Sequence, residues 1–87
     1  MLKLLDFYAD WCGPCQTMLP IMEGLEKSFA GKIEILKINV DTDMETAQKY
    51  AVMSIPTFVV EKDGKEMDRK IGAVPRKAMG DWLNSLT

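Results

Sequence analysis

The chemistry available to this chain is concentrated in two sulfurs. Cys12 and Cys15 are its only cysteines, and only Gly13 and Pro14 separate them. The apolar stretch Leu2 to Ala9 before them reads as a strand, and a helical pattern follows them. A helix N-terminus leaves backbone N–H groups unpaired and carries a partial positive charge. A thiolate placed there is stabilised, so Cys12 ionises more readily than a free cysteine. Cys15 lies about one helical turn further on, at ~3.6 residues per turn, and stacks near Cys12. Pro14 suits a first helical turn, where its missing N–H costs nothing. Gly13 and Pro14 leave no bulk to block the approach of another sulfur. The pair reads as a redox couple. The competing readings are two buried thiols, or half of a metal site shared in a dimer.

The elements that must hold this pair follow from the apolar pattern. A helix from about Pro14 to Ala30 puts Met18, Met22, Leu25 and Phe29 on one stripe. Pro20 falls inside it, and Gly31 is placed as the residue that ends it. Ile33 to Val40 reads as a second buried strand, far enough from the first for a parallel βαβ crossover. Thr42-Asp43-Met44-Glu45 matches a capping box with Thr42 as the cap, opening a short helix to about Ala51. Thr57 to Glu61 is a third strand. Asp63-Gly64 is a hairpin turn leading to a fourth at about Glu66–Ile71. Pro75 starts a last helix with Ala78, Met79, Trp82, Leu83 and Leu86 on its inner stripe. Gly80 weakens that helix by up to ~1 kcal/mol relative to alanine. The order is βαβαββα: an α/β chain with a four-stranded mixed sheet and helices on both faces. At 87 residues it is expected to form a single domain over residues 1–87.

Composition removes several classes of function. A formal charge of -2 gives no reason to expect nucleic acid or an anionic membrane as partner. There is no histidine, so imidazole catalysis and the commonest metal ligand are excluded. Two cysteines alone do not build a structural zinc site, which takes four ligands. No apolar run approaches transmembrane length. Asp6 cuts the first apolar run too soon for a signal peptide, so a cytoplasmic location is expected. In that reducing compartment a Cys-x-x-Cys is more often catalytic or metal-binding than a structural bridge.

Some residues stand out against their surroundings. Asp6 interrupts an apolar strand: it either faces water at an edge, or is enclosed, where desolvation favours its protonated form. Lys37 likewise interrupts the second strand, either to pair with Asp6 across neighbouring strands or to extend its ammonium out of the sheet. Pro56 cannot donate to a ladder and marks a strand start or edge. Trp11 is a large aromatic beside Cys12, either a contact surface or a core anchor. Gly72 and Ala73 form a small-residue turn between a strand and a helix.

Trp11-Cys12-Gly13-Pro14-Cys15 resembles the active site of the thioredoxin family. Leu5-Asp6-Phe7-Tyr8-Ala9, Lys37-Ile38-Asn39-Val40-Asp41, Ser54-Ile55-Pro56-Thr57 and Ile71-Gly72-Ala73 resemble further family segments, in family order. The likeness covers nearly the whole chain and implies the thioredoxin fold in minimal form. It implies Cys12 as the attacking and Cys15 as the resolving sulfur of a redox disulfide. Asp6 is implied as proton acceptor for Cys15, with Lys37 beside it. A cis Pro56 is implied, packed against the cysteines, with Ile55 in contact with substrate. The loop at Gly72 and Ala73 would dock partners. Together with Trp11, Gly13 and Pro14 these would form the substrate-contacting surface. Tyr8 stands where many members have tryptophan. Gln16 stands where lysine is frequent, which removes a cation near the dithiol and bears on thiolate stability and partner preference. Many members also carry a further strand and helix before the segment that begins here.

The implied activity is that of a small protein-disulfide reductase, expected to be a monomer. Its partners would be disulfide-containing target proteins and a separate thioredoxin reductase. No bound cofactor is needed. Two other classes compete. A copper-chaperone module also places Cys-x-x-Cys at a loop–helix junction, but would carry a methionine where Trp11 stands and would end in a strand. A non-catalytic interaction subunit would use the same surface to bind one partner.

Overall fold

The computed structural model describes residues 1–87. Its elements are β1 (Leu2–Tyr8), α1 (Gly13–Ser28), β2 (Ile33–Asn39), α2 (Met44–Lys49), β3 (Thr57–Lys62), β4 (Lys65–Ile71) and α3 (Arg76–Leu86). The sheet order is β2-β1-β3-β4. β1 pairs parallel with β2, as the intervening helix requires, and antiparallel with β3. This is the βαβαββα order that the apolar pattern implies.

Strand alternation sorts the core into two halves. Leu2 and Leu4 of β1, Ile33 of β2, and Phe58 and Val60 of β3 point to one face. There they meet Met18, Met22, Leu25 and Phe29 from α1 and Met79, Trp82 and Leu83 from α3. Leu5, Phe7 and Val59 point to the other face and meet Ala47 of α2, with Leu36, Ile38, Tyr50 and Ile55 half-buried around them. Asp63 and Gly64, with φ of 54° and 80°, make the two-residue hairpin between Lys62 and Lys65. A register shift near Val60 and Glu61 leaves Met67 without an opposite residue.

Three local expectations need correction. Thr42 does not cap α2. Its hydroxyl turns back to the Asn39 carbonyl, and Asp43 is the cap instead, accepting from the Thr46 N–H (3.1 Å) and the Thr46 hydroxyl (2.8 Å). Gly31 lies one position later than expected: Phe29 is the C-cap of α1, and Gly31, at φ 83°, carries the turn towards β2. Ala78 is exposed rather than on the inner stripe of α3. The buried stripe centres on Met79 and Leu83, with Trp82 at its border, where its indole N–H donates to Asp68 (2.8 Å).

Candidate active site

Cys12 is the N-cap of α1, with extended backbone angles, and Cys15 sits one turn inside. Their Cα atoms are 5.2 Å apart and their sulfurs are joined in a disulfide. The Cys12 sulfur also accepts the Cys15 backbone N–H at 3.2 Å. It therefore receives one of the unpaired donors at the helix mouth, the geometry that favours a thiolate there in the dithiol form. Both sulfurs are enclosed in this form: each cysteine is only 4% exposed. Both pack with Ala9 and against Tyr8, Val40 and Ile55. Position in the helix, not accessibility, separates the two.

The rim is open. Gly13 and Pro14 are exposed, and Trp11 is 71% exposed. Trp11 is thus a surface ring and not a core anchor. Its indole N–H donates to the Asp41 carboxylate at 2.8 Å, which fixes the ring plane. Gln16 donates to the Asp10 carbonyl at 3.2 Å, tying the loop after β1 to the first turn of α1.

Asp6 is enclosed, not edge-facing, at 4% exposure in the central strand. By alternation it shares a face with Leu2 and Leu4, the face that α1 covers. Burial pushes its carboxyl up to about 6, against the smaller opposing pull of the Lys37 charge. Lys37 is the register partner of Asp6 on β2, yet its side chain is exposed and no ion pair joins them. It lies on the edge strand, where its ammonium reaches water.

The Ile55–Pro56 peptide is cis, and Pro56 is buried at the start of β3. The Pro56 carbonyl accepts the Gly72 N–H at 2.7 Å. This bond brings the Ile71-Gly72-Ala73 turn beside the proline segment. Gly72, at φ 93°, has a backbone conformation that side chains rarely adopt. Ala73 is exposed at the same rim.

A groove opens beside the disulfide, about 400 Å³ in volume, between Trp11, Val40, Val52, Met53, Ser54 and Ile55. Met53 is 94% exposed at its lip. Of these residues, sequence reasoning singled out only Trp11 and Ile55 as contacts; it also missed Asp41. One signal was available. β1 and β2 are parallel, and both run towards the same end, so residues just after them share the crevice where open α/β sheets bind ligands. No group of three or more His, Cys, Asp or Glu side chains is arranged to hold a metal ion. No helix is long and apolar enough to cross a membrane.

The thioredoxin family model matches residues 1–85. This chain belongs to the thioredoxin family. Thioredoxin from Staphylococcus epidermidis is 46% identical over 82 residues, covering 94% of this chain and 79% of the relative. Thioredoxin from Rickettsia typhi is 41% identical over 81 residues, covering 93% and 77%. A mutant thioredoxin from Halobacterium salinarum superposes with a TM-score of 0.88 at 37% identity, covering 97% of this chain and 73% of that one. The thioredoxin-type Cys-x-x-Cys is therefore present in its family fold and at disulfide distance, the arrangement of a thiol–disulfide oxidoreductase.

Proposed function

We propose that the chain reduces disulfides in target proteins, with Cys12 as attacking and Cys15 as resolving sulfur. The observation that carries this is the Cys12 sulfur at the N-cap of α1, accepting the Cys15 N–H. The Cys12 thiolate attacks one sulfur of the target disulfide, and the other leaves as a thiolate. Cys15 then loses its proton and attacks the Cys12 sulfur of the mixed disulfide. The second target thiolate departs, and the Cys12–Cys15 disulfide remains. Two electrons have passed to the target, and a separate thioredoxin reductase returns them.

Asp6 takes the Cys15 proton in this scheme. Its carboxyl, raised to about 6, is largely ionised at neutrality yet basic enough to accept a proton. The charge of Lys37 keeps that value from rising further. Trp11, Gly13, Pro14, Ile55, Pro56, Gly72 and Ala73 form the surface against which a target segment lies. Residues 1–87 work as one monomeric domain in the cytoplasm, the compartment where a catalytic Cys-x-x-Cys is kept reduced.

Insulin reduction with dithiothreitol, a thioredoxin reductase or glutathione as donor tests the activity and its electron source. Cys12→Ser abolishes turnover. Cys15→Ser accumulates a mixed disulfide with the target, visible as an adduct by mass spectrometry. An adduct with Cys12→Ser and none with Cys15→Ser would reverse the two roles.

A further inference from the structure

The groove wall Val52–Ile55 has little regular structure of its own. It follows α2, a six-residue helix, and precedes β3. Its first residues are held by a tight helix end. The Ala51 N–H donates to the Gln48 carbonyl (3.0 Å) and the Val52 N–H to the Ala47 carbonyl (2.9 Å), with Ala51 at φ 53°. That is the double bond pattern that ends many helices, here with alanine where glycine is usual.

Tyr50, the C-cap of α2, is gripped from both β3 and β4. Its hydroxyl donates to the Glu61 carboxylate of β3 at 2.5 Å. Its carbonyl accepts from the Arg69 guanidinium of β4 at 2.9 Å. Arg69 is itself aimed by a two-pronged bond to Glu66, 2.6 Å on each prong. Glu61 is 8% exposed. A carboxylate that buried needs the tyrosine hydroxyl as much as the tyrosine needs the carboxylate. The Tyr50 ring packs against Phe7, 5.8 Å between centroids. Neither Tyr50, Glu61 nor Arg69 lines the groove or touches the cysteines.

We propose that Tyr50 is a positioning residue for target docking: held by Glu61 and Arg69, it fixes the segment Ala51–Ile55 that walls the groove beside Cys12. The inference rests on the disulfide-reductase reading given above. The clamp acts on targets large enough to fill the groove. It bears little on the exchange chemistry of the sulfurs, because α1 holds their backbone and, of the wall, only Ile55, the residue furthest from Tyr50, packs against them.

Tyr50→Phe removes only the hydroxyl and leaves the ring against Phe7. Glu61→Gln keeps an acceptor for that hydroxyl; Glu61→Leu removes it. Arg69→Gln removes the second grip. For each variant, stopped-flow tryptophan fluorescence follows oxidation of the reduced protein by insulin and by hydroxyethyl disulfide, a probe too small to span the groove. Hydrogen exchange of the Ala51 and Val52 amides reports the wall directly. Loss of one such bond is expected to slow the insulin reaction about three- to tenfold and to speed exchange of those two amides similarly. The hydroxyethyl disulfide rate stays within about twofold, and Glu61→Gln behaves like the parent. Unchanged amide exchange in Tyr50→Phe, or equal losses on both disulfides, overturns the positioning role. A parent protein that reduces neither disulfide overturns the reductase reading instead, and the exchange measurement still decides the clamp.

Discussion

The two faces of the sheet are built by different means. On the face under α1 and α3, twelve buried residues interlock, all of them aliphatic, methionine or aromatic. On the face under α2, four apolar residues are buried, and a half-buried fringe surrounds them. The thick face derives its stability from apolar burial, a non-directional force that grows with the area removed from water. The thin face has one short helix to cover it and relies on directed bonds: Tyr50 to Glu61, Arg69 to the Tyr50 carbonyl, Thr46 to Asp43. The disulfide lies where the two meet. Its sulfurs ride on α1, which buries Met18, Met22 and Leu25 in the thick face, while the groove beside them is walled from the thin side. The reacting atoms are thus held firmly, and the surface a target meets is held by a few replaceable contacts.

The largest expected effect tests that contrast. Leu4→Ala empties a fully buried site on the thick face and is expected to cost ~3–5 kcal/mol. Leu36→Ala trims a half-buried residue on the thin face and is expected to cost ~1–2 kcal/mol. Urea denaturation of both variants makes the comparison. Equal costs would mean that the thin face is as much a core as the thick one.

Asp6 is the exception on the thick face, a carboxyl enclosed among apolar neighbours. Its ordinary value is 3.8 and its folded value about 6. Between the two, the folded state keeps a proton that the unfolded chain has released. Stability therefore falls as pH rises through this window and levels off above it. The full drop is on the order of 3 kcal/mol, at about 1.4 kcal/mol for each unit. Asp6→Asn is expected to flatten the profile and to be more stable than the parent at neutral pH by up to that amount. It is also expected to slow resolution of the mixed disulfide more than the initial attack. Denaturation midpoints across the window, with stopped-flow rates, check both. A parent profile without the fall would place Asp6 in contact with water.

The thin side offers smaller effects. Asp41→Ala removes the acceptor of the Trp11 indole, an exposed bond contributing ~0.5–1.5 kcal/mol. The ring is expected to gain mobility, read as lower fluorescence anisotropy in a Trp82→Phe background, and the insulin rate to fall a few-fold. Ala51→Gly relieves a left-handed backbone conformation at the end of α2 and is expected to stabilise the fold by ~0.5 kcal/mol. A loss of stability on thermal melting would show that the alanine methyl makes a contact outweighing its backbone cost.

Much of this is legible in the sequence. The stripe Met18, Met22, Leu25, Phe29 announced α1 because helix periodicity and burial coincide there. The Asp63-Gly64 pair announced its turn because both positions need positive φ. What failed were matters of one residue or one contact. Thr42 and Asp43 are both good caps, and only the bond of Thr42 back to Asn39 decided between them. Asp41 and Met53 carry no local mark: they matter because β2 and the segment before β3 end beside Trp11.

Local rules bind residues near in sequence, and there the sequence alone sufficed: the element order, the inward stripes, and a Cys-x-x-Cys at a helix start with its sulfurs within reach. Asp6, an aspartate in an apolar strand, was already suspicious on these grounds. Its degree of burial was not, since that depends on α1 covering β1. Lys37 shows the same limit from the other side: register makes it the neighbour of Asp6, but only the position of β2 at the sheet edge lets its ammonium go to water. The groove, the grip of Asp41 on Trp11, and the Tyr50–Glu61–Arg69 clamp join residues 11 to 44 positions apart. Such contacts have no periodicity to betray them. They exist because the packed sheet brings separate strands side by side, and tertiary structure alone decided them.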